Sequence, residues 1–216
     1  AAEVSSLELS DGKVRAVYLT DRRKIPCGCV VNAAGPAANL IATMAYQSLP
    51  VEPRKRIVYV FDCREKATII NSPLFFDPNG VFCRPEGNYF LAGVSPPEDQ
   101  DPICTDFDVT YDLFEDIIWP TLANRVPAFE AIKLVNAWAG HYAYNTWDQN
   151  ALLGALPVVP NLYFANGFSG HGIQQSPAVG RAIAELITKG HFVSIDFSEL
   201  VVERLLTGHA VREINV

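Results

Sequence analysis

Long hydrophobic runs are missing from this chain. A membrane-spanning helix needs about 18 consecutive apolar residues, and the richest stretch, residues 30–45, is interrupted by Asn32, Pro36 and Asn39. No transmembrane segment is therefore expected. Basic clusters are equally scarce, limited to the triplets Arg22-Arg23-Lys24 and Arg54-Lys55-Arg56 in a chain of net charge −7. That balance argues against nucleic acid as a partner. The five cysteines, Cys27, Cys29, Cys63, Cys83 and Cys104, contain no CxxC pair, which fits a reducing compartment better than a disulfide framework. Cys27-Gly28-Cys29 has no second pair to complete a metal site, and the scattered histidines lack supporting ligands, so no metal is expected. The first residues carry no initiator Met, signal peptide or Arg-rich presequence.

What is present is a real core. Of 216 residues, 49% are apolar and 19% charged, enough for one large domain or two small ones. Residues 4–9 and 14–20 read as a hairpin around Asp11-Gly12. Residues 28–33 read as a continuous apolar strand buried on both faces. That strand runs through Ala34-Gly35 into a helix over 37–45, with Pro36 in its first turn. Pro50 and Pro53 then bracket a linker, of which Arg54-Lys55-Arg56 is a solvated face. Beyond it, 56–61, 81–84 and 89–94 suggest an antiparallel sheet, 109–126 a helix interrupted by Pro120, and 133–144 another strand. The last third offers a strand over 162–165, a glycine-rich loop and a helix. Ser176 is placed to N-cap that helix, Pro177 to fill its first turn and Gly190 to end it. A short helix over 198–206 follows.

Three glycines between Asn166 and Gln174, with a fourth at Gly180, are more than a simple turn requires. A nucleophile elbow, G-x-S-x-G, fails because Gly167-Phe168-Ser169-Gly170-His171 has Gly170 one position early and His171 where the last glycine belongs. A dinucleotide fingerprint fails because Gln175 replaces the third glycine and too little chain follows Asp196 for a doubly wound domain. Two readings remain from the residues alone. In one, backbone amides and the helix N-terminus face the polar ring end of a cofactor such as a flavin. In the other, the segment is a tight βα turn without a ligand.

Four segments carry a resemblance: VVNAAGPAA (30–38), LPVEP (49–53), W-A-G-x-Y-x-x-N-T-x-D (138–148) and the run 165–180. In this order and spacing they resemble the C-terminal half of the FAD-dependent D-amino acid oxidase, sarcosine oxidase and dimethylglycine dehydrogenase family. The resemblance implies a mixed α/β fold. It would hold the C-terminal portion of a Rossmann-like FAD-binding domain (1–50 and 146–216), interleaved with an antiparallel β-sheet substrate domain (51–145). It implies that Ala33, Ala34 and Gly35 line the cofactor. It implies further that Gly167, Phe168, Ser169, Gly170, His171, Gly172 and Ile173 wrap its ring, with His171 beside the ring as the catalytic candidate. Arg84 could clamp a substrate carboxylate or simply be solvated in its turn, and Tyr142 could face substrate or belong to the core.

Departures from the family pattern matter too. His141 stands where sarcosine oxidases place the cysteine that holds flavin covalently, so FAD is expected to be non-covalent. Gln174 replaces a family lysine, and no lysine occurs near Leu91, where the oxygen-activating one belongs. The resemblance therefore implies a dehydrogenase-like rather than oxidase-like reaction, a hydride passing from the C–N unit of a small amine or amino acid to flavin. No G-x-G-x-x-G occurs in residues 1–60. The expectation is a C-terminal piece that holds FAD weakly or not at all and leaves apolar sheet faces uncovered. The resemblance also implies a mitochondrial location. Within the family it admits a different role, a non-catalytic flavoprotein acting on assembly intermediates of respiratory complex I (NADH dehydrogenase).

Overall fold

Asp11 and Gly12 both take positive φ, 53° and 70°, so the first hairpin closes through the two-residue turn whose twist matches its strands. Those strands are β1 (Val4–Ser10) and β2 (Lys13–Leu19), and β3 (Lys24–Pro26) adds to form the order β1-β2-β3. β4 (Val30–Asn32) follows, then a 3-10 turn, Gly35–Ala37, and α1 (Ala38–Thr43). The computed structural model describes residues 2–66 and 69–213. It divides into two units, one made of Ala1–Pro53 with Tyr142–Val216 and the other of Arg54–His141.

The second unit is built on a five-stranded sheet ordered β6-β7-β8-β5-β9. Its strands are β5 (Val51–Cys63), β6 (Phe75–Phe76), β7 (Phe82–Glu86), β8 (Tyr89–Gly93) and β9 (Ile132–Asn145). β5 begins at Val51, so the expected linker is instead the start of a strand. Pro53 lies outside the stretch of β5 that pairs with β8, from Tyr59 to Phe61, so that ladder loses no donor to it. The expected helix over 109–126 is shorter and divided. A wide turn, Phe114–Ile118, precedes α2 (Trp119–Arg125), because Pro120 brings no N–H and fits only a first turn. One side of the sheet is covered by rings and aliphatic chains, with Tyr59, Phe61, Phe90, Phe114, Ile118, Leu122 and Phe129 buried together. Arg54-Lys55-Arg56 is no solvated linker face. Arg56 makes a two-pronged bond to Asp101 at 2.9 and 2.8 Å, and Lys55 reaches Asp106 at 2.7 Å, so the acidic loop after Ser95 is strapped to β5.

In the first unit, β10 (Leu152–Ala155) and β11 (Leu162–Asn166) join β4 in the order β10-β11-β4. The sequence carries no clear signal for β10, because LLGA is too short for periodicity to distinguish from a turn. Nor is β4 buried on both faces. Val31 remains 42% exposed, because β4 lies at the edge of its sheet. Asn161 ties the two sheets of this unit: Val14 N–H donates to its Oδ1 at 2.9 Å, and its Nδ2 donates to the carbonyls of Val14 and Gly28, both at 2.8 Å. The core between them is mostly aliphatic, with Leu7, Val14, Leu49, Leu152, Leu162 and Val202 buried alongside the single ring of Phe164. α3 (Gly172–Lys189) packs Val179 and Ile183 inward and ends at Gly190 in the left-handed conformation. The final expected helix resolves into a 3-10 turn, Ser198–Leu200, and α4 (Arg204–Thr207). Among the described residues no helix is long and apolar enough to cross a membrane.

Candidate functional site

β4 and β11 run parallel, with Val30 beside Leu162 and Asn32 beside Phe164. Residues 33–35 and 167–172 therefore leave the sheet at the same end, the carboxyl end at which α/β proteins bind ligands. Asn32 shapes the first of these exits, donating from Nδ2 to the Ala38 carbonyl at 2.9 Å and accepting from Ala34 N–H at 3.1 Å. Gly35 takes φ +57°, and Ala33 and Ala34 stay exposed.

The second exit is the glycine loop. Gly167 and Gly170 take φ 71° and 100°, and Ser169, although not glycine, takes φ 46°. Its strain is held by full enclosure. Ser169 N–H donates to the Ala143 carbonyl at 3.1 Å, its Oγ accepts from Asn145 N–H at 3.0 Å, and the same hydroxyl reaches the Gly167 carbonyl at 3.3 Å. The close approach that these glycines permit is made by the chain itself. A Cβ at Gly170 would fall 2.5 Å from the ring of Tyr142, and one at Gly167 would fall 3.2 Å from Asn145 Cβ. Asn166, at the base of the loop, is enclosed with neither side-chain amide atom partnered among the described residues, a position that an internal water would satisfy.

α3 begins at Gly172, five residues before the expected first helical residue, Pro177. His171 is its N-cap residue, with no side-chain cap bond and no acidic residue in the first turn. The first-turn N–H groups of such a helix lack intrahelical acceptors. Ser176 is not the cap. Pro177, lying inside the helix, lacks the N–H that would meet the Ile173 carbonyl, and Ser176 Oγ donates to that carbonyl instead, at 2.8 Å. Ile173 stands 85% exposed on the opening turn.

The structure thus gathers Ala33, Ala34, Gly35, Tyr142 and the segment 167–173 in one unit. Arg84 lies in the other, where its guanidinium is paired with Glu86 of the same strand. His141 also lies in that unit, its Nε2 2.7 Å from the Asp106 carbonyl and its ring against Phe107. Among the described residues no three His, Cys, Asp or Glu side chains converge to hold a metal.

Behind the loop sits a network that the motif W-A-G-x-Y-x-x-N-T-x-D only hinted at. Asp148 is 1% exposed and Arg204, the first residue of α4, 3% exposed at the side chain. Arg204 Nε donates to Asp148 Oδ2 and its Nη2 to Oδ1, both at 3.0 Å. Asn145 Nδ2 also donates to Oδ1, at 2.7 Å, and Val211 N–H to Oδ2, at 3.0 Å. Burial lowers the proton affinity of Arg204, and the adjacent Asp148 carboxylate opposes that shift.

The residues at this strand end suit the ring end of a flavin. An uncapped helix start carries about half a positive charge, no carboxylate stands in the first turn to oppose an anionic ring, and an apolar side chain is exposed beside it. A strand, a glycine loop and a long helix at the carboxyl end of a parallel pair form the arrangement at which α/β proteins bind ligands. The chain belongs to the FAD dependent oxidoreductase family, whose profile matches residues 1–186. It is 46% identical over 213 residues to FAD-dependent oxidoreductase domain-containing protein 1 of Bos taurus, covering 93% of this chain and 44% of that protein. The Drosophila melanogaster homolog is 37% identical over 226 residues, 99% of this chain and 41% of its own length. The chain thus spans less than half the length of these relatives. Among solved structures, L-proline dehydrogenase from P. horikoshii superposes with TM-score 0.86 at 26% identity, covering 97% of this chain and 55% of that one. Glycine oxidase from Geobacillus kaustophilus shares the fold, with TM-score 0.79 at 23% identity over 94% of this chain and 52% of its own.

Proposed function

We propose that this chain is the flavin-ring and substrate-side portion of an FAD-dependent oxidoreductase that oxidises the C–N unit of a small amine or amino acid, working as a dehydrogenase rather than an oxidase. The observation that carries the reading is the uncapped start of α3, set among residues 167–172 beside the exit of β4. Bound non-covalently, FAD supplies the hydride-accepting chemistry. The protein's part is positional. The N–H groups of Gly172, Ile173 and Gln174 stabilise negative charge developing at their end of the site, and Ile173 helps exclude water. Tyr142, its ring against Gly170, holds the loop open and presents a phenol beside it. His171, with no ring hydrogen bond among the described residues, is free to donate to an anionic group. The absence of lysine near Leu91 supports slow reaction with oxygen, and the solved relative named L-proline dehydrogenase supports the substrate class.

A second reading has its own observation. Arg84, the candidate clamp for a substrate carboxylate, is engaged by Glu86, which favours a flavoprotein that keeps the fold without turnover and serves in assembly of respiratory complex I in the mitochondrion. One experiment separates the two. Full-length protein reconstituted with FAD is titrated anaerobically with small amines and amino acids. Bleaching of the visible flavin band followed by slow recovery in air supports the dehydrogenase. Bound flavin that no amine bleaches supports the scaffold, and a protein that refuses FAD removes both.

A further inference from the structure

The buried Asp148–Arg204 pair has no use in the proposed chemistry. Its connections nevertheless lead to the loop. Asp148 Oδ1 accepts from Asn145 Nδ2, Asn145 N–H donates to Ser169 Oγ, and Asn145 Cβ is the atom nearest to where a side chain at Gly167 would begin. The other end of the network is the chain's last described segment. Val211 N–H donates to Asp148 Oδ2, Asn150 Nδ2 to the Val211 carbonyl at 3.1 Å, and Glu213 N–H to the Asp148 carbonyl at 2.9 Å. Arg204 also reaches the Leu200 carbonyl at 2.9 Å, and its guanidinium lies 5.7 Å from the Trp147 ring centre.

We propose that Arg204 is a positioning residue for the flavin loop. Through Asp148 and Asn145 it sets where Ser169 and the first turn of α3 stand, so the C-terminal segment controls how FAD is held. This rests on the proposed function. The physical basis is that a carboxylate enclosed at 1% exposure must keep its donors, and its best donor is a planar fork that fixes direction as well as charge. Ser169 sits in a strained conformation that persists only while its surroundings over-determine it. When Arg204 is lost, Asp148 turns toward its remaining donors, Asn145 follows, and the loop relaxes.

The test uses the full-length protein. Arg204→Met is expected to raise hydrogen exchange in peptides covering 166–176, to weaken FAD by roughly tenfold and to change the visible circular dichroism of bound flavin. Arg204→Lys, which keeps the charge, is expected to recover part of the affinity. Arg56→Met breaks an ion pair of similar enclosure in the other unit, and is expected to lower the melting temperature without altering exchange in 166–176 or the flavin spectrum. A folded Arg204→Met protein with wild-type exchange in that peptide and a wild-type flavin spectrum overturns the proposal. Should Arg204→Met not fold, Val211→Pro removes a single N–H donor to Asp148 and decides the matter by the same readouts. If the wild-type protein binds no FAD, the functional reading falls. The exchange of 166–176 in Arg204→Met still decides whether Arg204 positions the loop.

Discussion

In the unit 54–141, Phe61 lies among Phe90, Phe114 and Phe129, with ring centres 5.4, 6.3 and 5.2 Å away. In the unit formed by 1–53 and 142–216, the described ring pair is a peripheral one, Phe192 with Phe197, and the loop of interest is fixed by hydrogen bonds to Ala143 and Asn145, the latter bonded in turn to the buried Asp148 carboxylate. The first arrangement relies on burial of apolar surface, which has no preferred direction. The second relies on bonds whose angles matter and whose loss leaves a charge enclosed. Stability and positional accuracy are thus supplied by different chemistry in different parts of one chain. A sheet that needs only to persist can rest on rings, whereas a loop that must meet a cofactor within a fraction of an ångström is better served by a saturated polar network.

The largest expected effect tests the first half of that contrast. Phe61→Ala removes a fully buried ring and should destabilise the full-length protein by about 3–5 kcal/mol, read from chemical denaturation. The flavin spectrum of the molecules that remain folded should be unchanged. A spectral change as large as that of Arg204→Met would break the separation between the two regions. Next is Gly170→Ala. Its new Cβ would meet the Tyr142 ring at 2.5 Å with φ at +100°, so a loss of about 2–4 kcal/mol is expected. Adding Tyr142→Ala should relieve the clash, leaving about 1–2 kcal/mol of backbone strain in the coupling comparison. Smaller still is Gly35→Ala, where φ is +57° but no atom lies within 4 Å of the new Cβ. About 1 kcal/mol of strain is expected there, a loss visible by calorimetry and not deepened by crowding.

Local signals and long-range ones were not equally legible in the sequence. The Asp11-Gly12 turn, the strand before the glycine loop and the Gly190 stop are each written in two or three adjacent residues, and the structure has all three. The sequence points to too late a start for α3 because Ser176-Pro177 mimics a helix start. The Ser176 hydroxyl in fact repairs a carbonyl that Pro177 leaves unpaired. Val31 was misread because a short apolar run does not reveal whether its strand is central or at an edge. The crowded glycines did mark the candidate site, but the body that fills the space at Gly170 is Tyr142, 28 positions away, which no local pattern announces. Arg204 carried no signal at all. Its partner is 56 positions distant, and the segment around it reads as an ordinary short helix. The edge-strand difference, the Tyr142 contact and the Arg204 pairing arise only when distant parts of the chain meet.

The smallest effect is expected at Lys55 and Asp106, which differ from the neighbouring Arg56–Asp101 pair chiefly in exposure. The Lys55 ammonium, with help from the Cys104 thiol and the Asp108 N–H, holds the Asp106 carboxyl well below the usual carboxylate range. A carboxyl depressed in the folded state adds stability that is present above its unfolded pKa, about 4, and is lost as pH falls toward its folded value. Asp106→Asn should therefore lower the denaturation midpoint by a small constant amount above about pH 5, with the difference shrinking below about pH 4. Asp106 is half exposed, so the ionic part should fade in about 1 M salt, where the Debye length is about 3 Å. The Arg56→Met loss should persist there, because side chains only 10% and 7% exposed are screened far less. Equal salt sensitivity in the two variants would mean that the Arg56–Asp101 fork is wetter than its enclosure implies. The strap on the 95–108 loop would then be a surface association, and the contrast between ring-built and bond-built regions would have to be drawn within this unit as well as between the two.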